Sequence, residues 1–303
     1  MSNGNAFGPF RTSGRTSGGI RLAPIILGLV AVGAFLIKSC QTGPFGRQQL
    51  VAVNPAQEAQ LGSQAFQQVL AEERGNVLPA DVPISQAVQR IARRLAAVAN
   101  DPQILAATKL QQQSFDWQAR VVRSDTVNAF CLPGGKIVVY TGIVPVAQTS
   151  GGLAVVMGHE IAHALAHHGA ERMAQNQIVQ IGASSVAGSL GDMPPNQQRA
   201  VMAMFGMGAK FGLLKYSRSH ESEADHIGLL LMAAAGYDPR EATSFWARMG
   251  QVSKGAAPPE YLSTHPSHQT RIADLKRWTP EALPLYERSN HAPEDQQALP
   301  GVR

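Results

Sequence analysis

The chain has 303 residues, 44% of them hydrophobic and 16% charged, with a formal net charge of +5, enough for one large folded domain or two small ones. Residues 1–57 contain no Asp or Glu but carry Arg11, Arg15, Arg21, Lys38 and Arg47, so this segment alone supplies the excess and the remainder is close to neutral. Basicity confined to the N-terminus argues for a membrane or targeting role. No Lys/Arg run is interleaved with aromatics, which excludes an obvious nucleic-acid surface, and Cys40 and Cys131 alone make neither a disulfide framework nor a multi-cysteine zinc site.

In chain order, residues 1–21 are rich in Gly, Ser and Arg and read as a disordered basic tail. LAPIILGLVAVGAFLI, residues 22–37, carries no charge. It is slightly shorter than the roughly 20 residues of a spanning helix, but Arg21 and Lys38 can snorkel and extend it. Residues 22–39 therefore read as a transmembrane anchor or signal segment. The arginines before it outnumber the charges after it, which places the N-terminus in the cytoplasm and the rest across the membrane. Three other fates compete with the anchor: cleavage, although no small-x-small site follows the run; lipidation at Cys40 in LIKSC; and a mitochondrial transit peptide, which the acid-free Arg/Ser start also suits.

Residues 40–54 read as a linker. Helical periodicity follows at 55–73 and at 83–99, where Val88, Ile91, Ala92 and Leu95 share a face. WQARVVRSD and KIVVYTG are strand-like, and NAFCLPGG between them ends in a turn signal, so the two runs are expected to form a hairpin. A helix is expected from about 152 to about 180, then a small-residue region marked by Gly and Pro, IGASSVAGSLGDMPPNQQ, then helices near 198–215 and 219–235. GYDP reads as a turn, another helix begins near Pro239, and APPEYLSTHPSHQTRIADLKRW reads as a loop entering a final helix. A domain over 55–280 and a loose C-terminal tail over 281–303 complete the expected organisation.

The chemistry is concentrated in GHEIAHALAHHGAER, residues 158–172. His159 and His163 are four apart and share one helix face, where two imidazoles can hold one zinc ion. Glu160 stands beside that position and can take a proton from a water there and hand it to a leaving amine. Apolar residues flank the motif at helical spacing, which argues against a solvated polar face. A catalytic zinc needs a third protein ligand and an open position. No third histidine follows at the metzincin spacing, so the ligand is expected from a second helix, in SRSHESEADHIG. There Glu221 and Asp225 share a face while Glu223 points elsewhere. Glu221 suits a ligand, and Asp225 suits a partner that accepts the N–H of a ligating histidine.

HEIAH paired with ESEAD, preceded by VNAFCLPGGKIVVYTG and followed by GYDP and THPSHQTRI, resembles the zinc metallopeptidases of the BepA, HtpX and CAAX-prenyl-endopeptidase superfamily, peptidase family forty-eight of the metallo clan. The similarity covers roughly residues 55–280 and is nearest to the bacterial periplasmic branch and the related mitochondrial inner-membrane protease. It implies an α+β, mostly helical fold of the zincin (gluzincin) type, with a small β-sheet or hairpin beside the HExxH helix. It also implies one zinc per subunit on His159, His163 and Glu221, Glu160 as general base, and Asp225 as a second acid of the active site. His265 matches a histidine that can fill the free zinc position or stabilise an oxyanion, and His168 matches a supporting position. His167, His220, His226 and His268 are expected at the surface or in helix packing. Cys131 stands where the family more often has a smaller residue.

The function so implied is a membrane-anchored zinc metalloendopeptidase acting on misfolded or mistargeted envelope proteins. The alternative is a normally latent protease working mainly as a chaperone or assembly factor. The partners expected are unfolded or extended polypeptides and, through residues 22–37, the membrane; no nucleic acid is expected. KIVVYTG or NAFCLPGG is expected to offer an edge strand to substrate, and residues 182–215 to cover the cleft as a plug or lid. The expected address is a bacterial inner (cytoplasmic) membrane, single-pass, with the catalytic domain on the periplasmic side, or a lipoprotein anchored through Cys40.

Overall fold

The computed structural model describes residues 20–191, 193–252, 261, 265 and 270–301, apart from the side chains of 211–212 and 214–216. Most of the basic tail assigned to 1–21, and His268, lie outside the described residues. Helix α1 (Leu22–Ser39) has a mean hydropathy of 2.1 and only 11% of it is buried. Leu22, Ile26, Leu27, Leu29, Val30 and Ile37 face outward, so by length and composition α1 is able to cross a bilayer.

The stretch 40–54 is not a plain linker. Strand β1 (Cys40–Thr42) pairs antiparallel with β2 (Gln48–Leu50), and Arg47 beside the turn reaches Glu171 and Glu223. Two three-residue strands leave no periodic signal; distant carboxylates hold them. Helix α2 (Pro55–Glu72) begins at a reciprocal Asn54–Gln57 capping box. Helix α3 (Pro83–Val98) buries the face expected of it, and α4 (Pro102–Thr108) is capped by Asp101.

Strands β3 (Gln118–Val122), β4 (Ala129–Leu132) and β5 (Lys136–Tyr140) form a sheet of order β3-β5-β4, with β5 parallel to β3 and antiparallel to β4. The hairpin is thus β4–β5, turned by Gly134 and Gly135 at φ +77° and +84°, a region open to glycine. It does not join the two runs richest in β-branched residues. Those two are parallel neighbours, and AFCL, within the NAFCLPGG expected to turn between them or to offer an edge, forms the antiparallel edge strand beside β5. KIVVY is consequently central and cannot serve as an edge, whereas β4 lies at one edge of the sheet and packs beside the metal-motif helix.

After α5 (Val144–Ala147) comes α6 (Ser150–Leu165), buried along almost all its length. The single helix expected over 152–180 is broken: α6 ends, His167 adopts φ +54°, and α7 (His168–Leu190) starts in a new direction. The Nδ1 of His167 lies 2.6 Å from Glu58 on α2, which holds the break. Helix α8 (Pro195–Ala234) merges the two helices expected near 198–215 and 219–235. The Gly/Ser-rich stretch expected to be irregular is helical through Leu190, because its small residues let helices approach. Ser185 sits against Gly28, Pro24 against Gly188, and Phe205 against Gly182. The plug expected over 182–215 is therefore not observed: the described residues there pack on one another and on α1.

Helices α9 (Glu241–Val252) and α10 (Arg271–Arg288) close the core around α6. The tail expected to be loose over 281–303 is ordered among the described residues. Helix α10 runs to Arg288, and the chain folds back so that Ala292 N–H donates to Gly236, Gly151 N–H to Asp295 and Leu299 N–H to Gln148. Its polar composition concealed this, because backbone hydrogen bonds do the holding.

One contact positions the site. Helices α6 and α8 cross at Gly158 and Gly228, where a Cβ on Gly158 would meet the Gly228 carbonyl at 3.0 Å and one on Gly228 would meet the His159 nitrogen at 2.9 Å. Backbone-to-backbone approach lets short carboxylate side chains on α8 reach the histidines of α6.

Candidate metal centre

His159 and His163 project from α6 towards Glu221 on α8, and His265 approaches from the segment before α10. Four donor atoms from these residues lie within 4.8 Å of one another. His159 Nε2 is 3.1 Å from His163 Nε2, 3.3 Å from Glu221 Oε2 and 3.4 Å from His265 Nδ1. Glu221 Oε1 is 3.4 Å from His163 Nε2 and 3.1 Å from His265 Nδ1. Zinc bonds of about 2.0–2.1 Å in a tetrahedron put neighbouring donors about 3.3–3.4 Å apart. The donor set and its spacing thus fit a four-coordinate zinc, with three imidazoles and one carboxylate, all but His163 buried.

The next layer orients these donors. Asp225 Oδ1 accepts from His159 Nδ1 at 2.9 Å. Arg271, fully buried, donates from Nε to Asp225 at 2.6 Å and from Nη2 to both Asp225 and Glu221, at 2.9 and 3.2 Å. Its guanidinium lies 3.4 Å from the centre of the Trp246 ring. Glu160, also buried, receives the Tyr261 hydroxyl at 2.8 Å and lies 3.5 Å from His265 Nε2.

Charge follows this geometry. Burial disfavours a charged His159, but the carboxylates of Asp225 and Glu221 outweigh it and hold the imidazole up at about 9. His163 is pushed down to about 4, chiefly by burial and further by the two neighbouring histidines. Burial would raise Glu221 and Asp225; the histidines around Glu221, and Arg271 with His159 beside Asp225, reverse that and keep both carboxylates well ionised.

A second cluster backs His163. His168 Nδ1 is 2.8 Å from His163 Nδ1 and its Nε2 is 2.8 Å from Glu223. Arg47 bridges Glu223 and Glu171 at 2.8–3.0 Å, and His220, stacked on His168 at 4.3 Å, is 3.1 Å from Glu171. Burial favours a neutral Glu171, yet His220 and Arg47 hold it down at about 2, below the usual 4.5. A depressed carboxylate contributes stability that is present above about pH 4.5 and lost as pH falls towards 2. Glu171→Gln is therefore expected to lower the melting temperature at neutral pH and to flatten its fall between pH 4.5 and 2. Melting curves at stepped pH check this, and parallel slopes for both proteins would contradict it.

The structure brings together all six residues singled out by sequence: His159, Glu160, His163, Glu221, Asp225 and His265. Sequence reasoning gave no role to Arg271, Tyr261, Trp246, Arg47 or Glu171. Arg271 stands in the quoted THPSHQTRI, but nothing in its spacing announces a partner on α8.

Residues 85–279 match Peptidase family M48. The chain belongs to that family. It is 36% identical to the mitochondrial metalloendopeptidase OMA1 of Schizosaccharomyces pombe, over 77% of this chain and 64% of that protein. It is 30% identical to the protein of the same name in Saccharomyces cerevisiae, over 80% and 70% respectively. It is 28% identical to the beta-barrel assembly-enhancing protease of Escherichia coli, over 77% of this chain and 46% of that one. The chain thus spans a little under two thirds of the fission-yeast relative and about half of the bacterial one. An M48 domain implies an α+β zincin fold and zinc as the metal, in keeping with the helices, the small sheet and the four-donor cluster. The expected bacterial inner-membrane address, with its periplasmic catalytic domain and its Cys40 lipoprotein variant, is overturned: relatives at 30–36% identity are named as mitochondrial. The arginine bias around α1 fixes an orientation, not an organelle.

Proposed function

We propose that this M48 chain is a membrane-anchored zinc endopeptidase that cleaves extended polypeptide segments and rests in a latched state. The observation that carries the proposal is the set of four donor atoms within 4.8 Å of one another, in which His265 would supply the fourth, beside the buried carboxylate of Glu160 outside that set. His159, His163 and Glu221 would hold the metal, and α1 would supply the anchor; the fungal relatives favour a mitochondrial membrane for it. Zinc at an open position supplies Lewis acidity, making a water acidic and polarising a carbonyl.

The protein groups do the rest. His159 donates its Nδ1 proton to Asp225, which leaves the Nε2 lone pair free for the metal. With its Nε2 turned to the metal site, His163 would keep its proton on Nδ1 and donate it to His168, which would donate in turn to Glu223. Glu160, fixed by the Tyr261 hydroxyl, accepts the proton from water and delivers it to the leaving amine. Substrate adds as a strand along β4, whose outer edge has no strand partner among the described residues.

His265 must leave before a substrate carbonyl can approach, so the resting enzyme is latent. The same contact supports the second reading, in which an idle peptidase chaperones extended chains. His265→Ala, as the full chain in detergent with zinc, is expected to cleave casein about tenfold faster than the wild type or more. A latch of about 1.4 kcal/mol leaves only about a tenth of the molecules open. Equal or slower cleavage by His265→Ala would remove the latch. Two silent proteins, each with one zinc bound, would remove the endopeptidase and leave the chaperone.

A further inference from the structure

The β1–β2 hairpin follows α1 directly, and the residues that grip it flank the metal donors. Phe45, at φ +52°, stacks at 4.8 Å on His226, the neighbour of Asp225 on α8. His226 stacks in turn on Trp278 of α10 at 4.5 Å. Gln49 is buried, and its amide donates to Glu171 at 3.1 Å and to the Ala166 carbonyl at the end of α6. Arg47 lies between these two anchor points. Its Nε donates to both oxygens of Glu223, at 3.0 and 2.9 Å, its Nη1 to Glu171 at 2.9 Å, and its Nη2 to Glu171 and Glu223, each at 2.8 Å. Glu171 opens α7 and Glu223 belongs to α8, and both are buried. All three guanidinium nitrogens are used, so a single planar fork sets the positions of two carboxylates on two helices. An ammonium, being a point charge on a flexible stem, cannot reproduce that geometry.

One more link carries this geometry to the metal donors. Glu223, as a carboxylate, only accepts hydrogen bonds, so the Nε2 of His168 at 2.8 Å must be the donor. An imidazole with one proton then has a bare Nδ1, and that atom faces His163 Nδ1 at 2.8 Å. His163 must donate there, which leaves the lone pair of its Nε2 directed at His159 and Glu221. The opposite tautomer of His168 would point its own N–H at His163. It would place the His163 proton on Nε2, the atom required for the metal. Which tautomer forms depends on where Glu223 is held, and Arg47 holds it.

We infer that Arg47 is a positioning residue for the metal centre: by fixing Glu223 it sets, through His168, the tautomer in which His163 can ligate. This rests on the reading of His163 as a metal ligand given under the proposed function. Arg47 precedes residues 85–279, which match the family. The hairpin that leaves the anchor is thereby part of the centre and not only its tether.

The test uses the full chain in detergent and titrates zinc against a competing chelator that changes colour. His163→Ala gives the loss expected when a ligand is removed. Arg47→Ala is expected to weaken zinc binding about 10–100-fold, as loss of an outer partner that orients a ligand does, and Arg47→Lys to do nearly the same. His168→Phe keeps a ring in place but removes both nitrogens, which breaks the link. In that background Arg47→Ala is expected to change the affinity less than about twofold, because residues acting through one network are not additive. The same loss from Arg47→Ala with and without His168 would show that Arg47 only supports the fold, and would overturn the inference. Wild-type affinity in Arg47→Ala would overturn it as well. Unchanged affinity in His163→Ala would remove His163 as a ligand, and the inference with that reading. Glu223→Ala breaks the same link should His168→Phe fail to fold.

Discussion

Replacing Glu160 by Gln is expected to lower peptide cleavage by about 10²–10⁴-fold while leaving one zinc per chain. The change is nearly isosteric, and the Gln oxygen still accepts the Tyr261 hydroxyl that now bonds Glu160 Oε1 at 2.8 Å. The metal donors are other residues, so their spacing is untouched. What disappears is a basic oxygen able to hold a proton between water and the leaving amine. Zinc content by atomic emission and casein cleavage, both in a His265→Ala background so that the latch does not mask the effect, separate the two roles. Cleavage retained at full rate would show that Glu160 is no base. Loss of zinc together with cleavage would make it a metal-site residue instead. A companion variant, Tyr261→Phe, should cost far less, since it removes an orienting hydrogen bond and not the proton acceptor.

The parts of the site legible in the sequence are those set by helical spacing within one element. His159 and His163, four apart on an apolar helix, and Glu221 and Asp225, four apart on another, needed only the 3.6-residue repeat. Their meeting depends on the crossing of Gly158 and Gly228, and a glycine in sequence does not say which backbone will approach it. The same holds for the sheet: a parallel β3–β5 pair and an inserted β4 are set by tertiary packing, and AFCL carries little β-propensity of its own. Helix breaks were misplaced in both directions. His167 ends a helix without Gly or Pro, while the Gly- and Ser-rich 182–190 continues one because small residues there serve helix contact and not a turn. Arg47, beside the β1–β2 turn, Tyr261, and Arg271, the first residue of α10, reach the site from other parts of the chain, and no spacing pointed from them to it.

Arg271 carries the largest structural effect expected of any single change. It is only 2% exposed and its Asp225 contact is bidentate. Removing it leaves two buried carboxylates, Asp225 and Glu221, without their cation, and an uncompensated buried charge costs about 3–5 kcal/mol. Burial would then drive Asp225 towards its protonated form, since the charge of Arg271 is the foremost influence holding it ionised against burial. A protonated Asp225 no longer anchors the Nδ1–H of His159, and loss of such an outer partner weakens zinc binding about 10–100-fold. Arg271→Ala should thus lose stability and zinc affinity together. Arg271→Lys separates the causes, because it restores a charge without the planar fork or the stacking on Trp246. Lysine is expected to recover part of the stability, measured by urea unfolding of the metal-free chain, but little of the zinc affinity, measured against a competing chelator. Full recovery of both would mean that Arg271 acts as a point charge and that the orientation of Asp225 is fixed by something else.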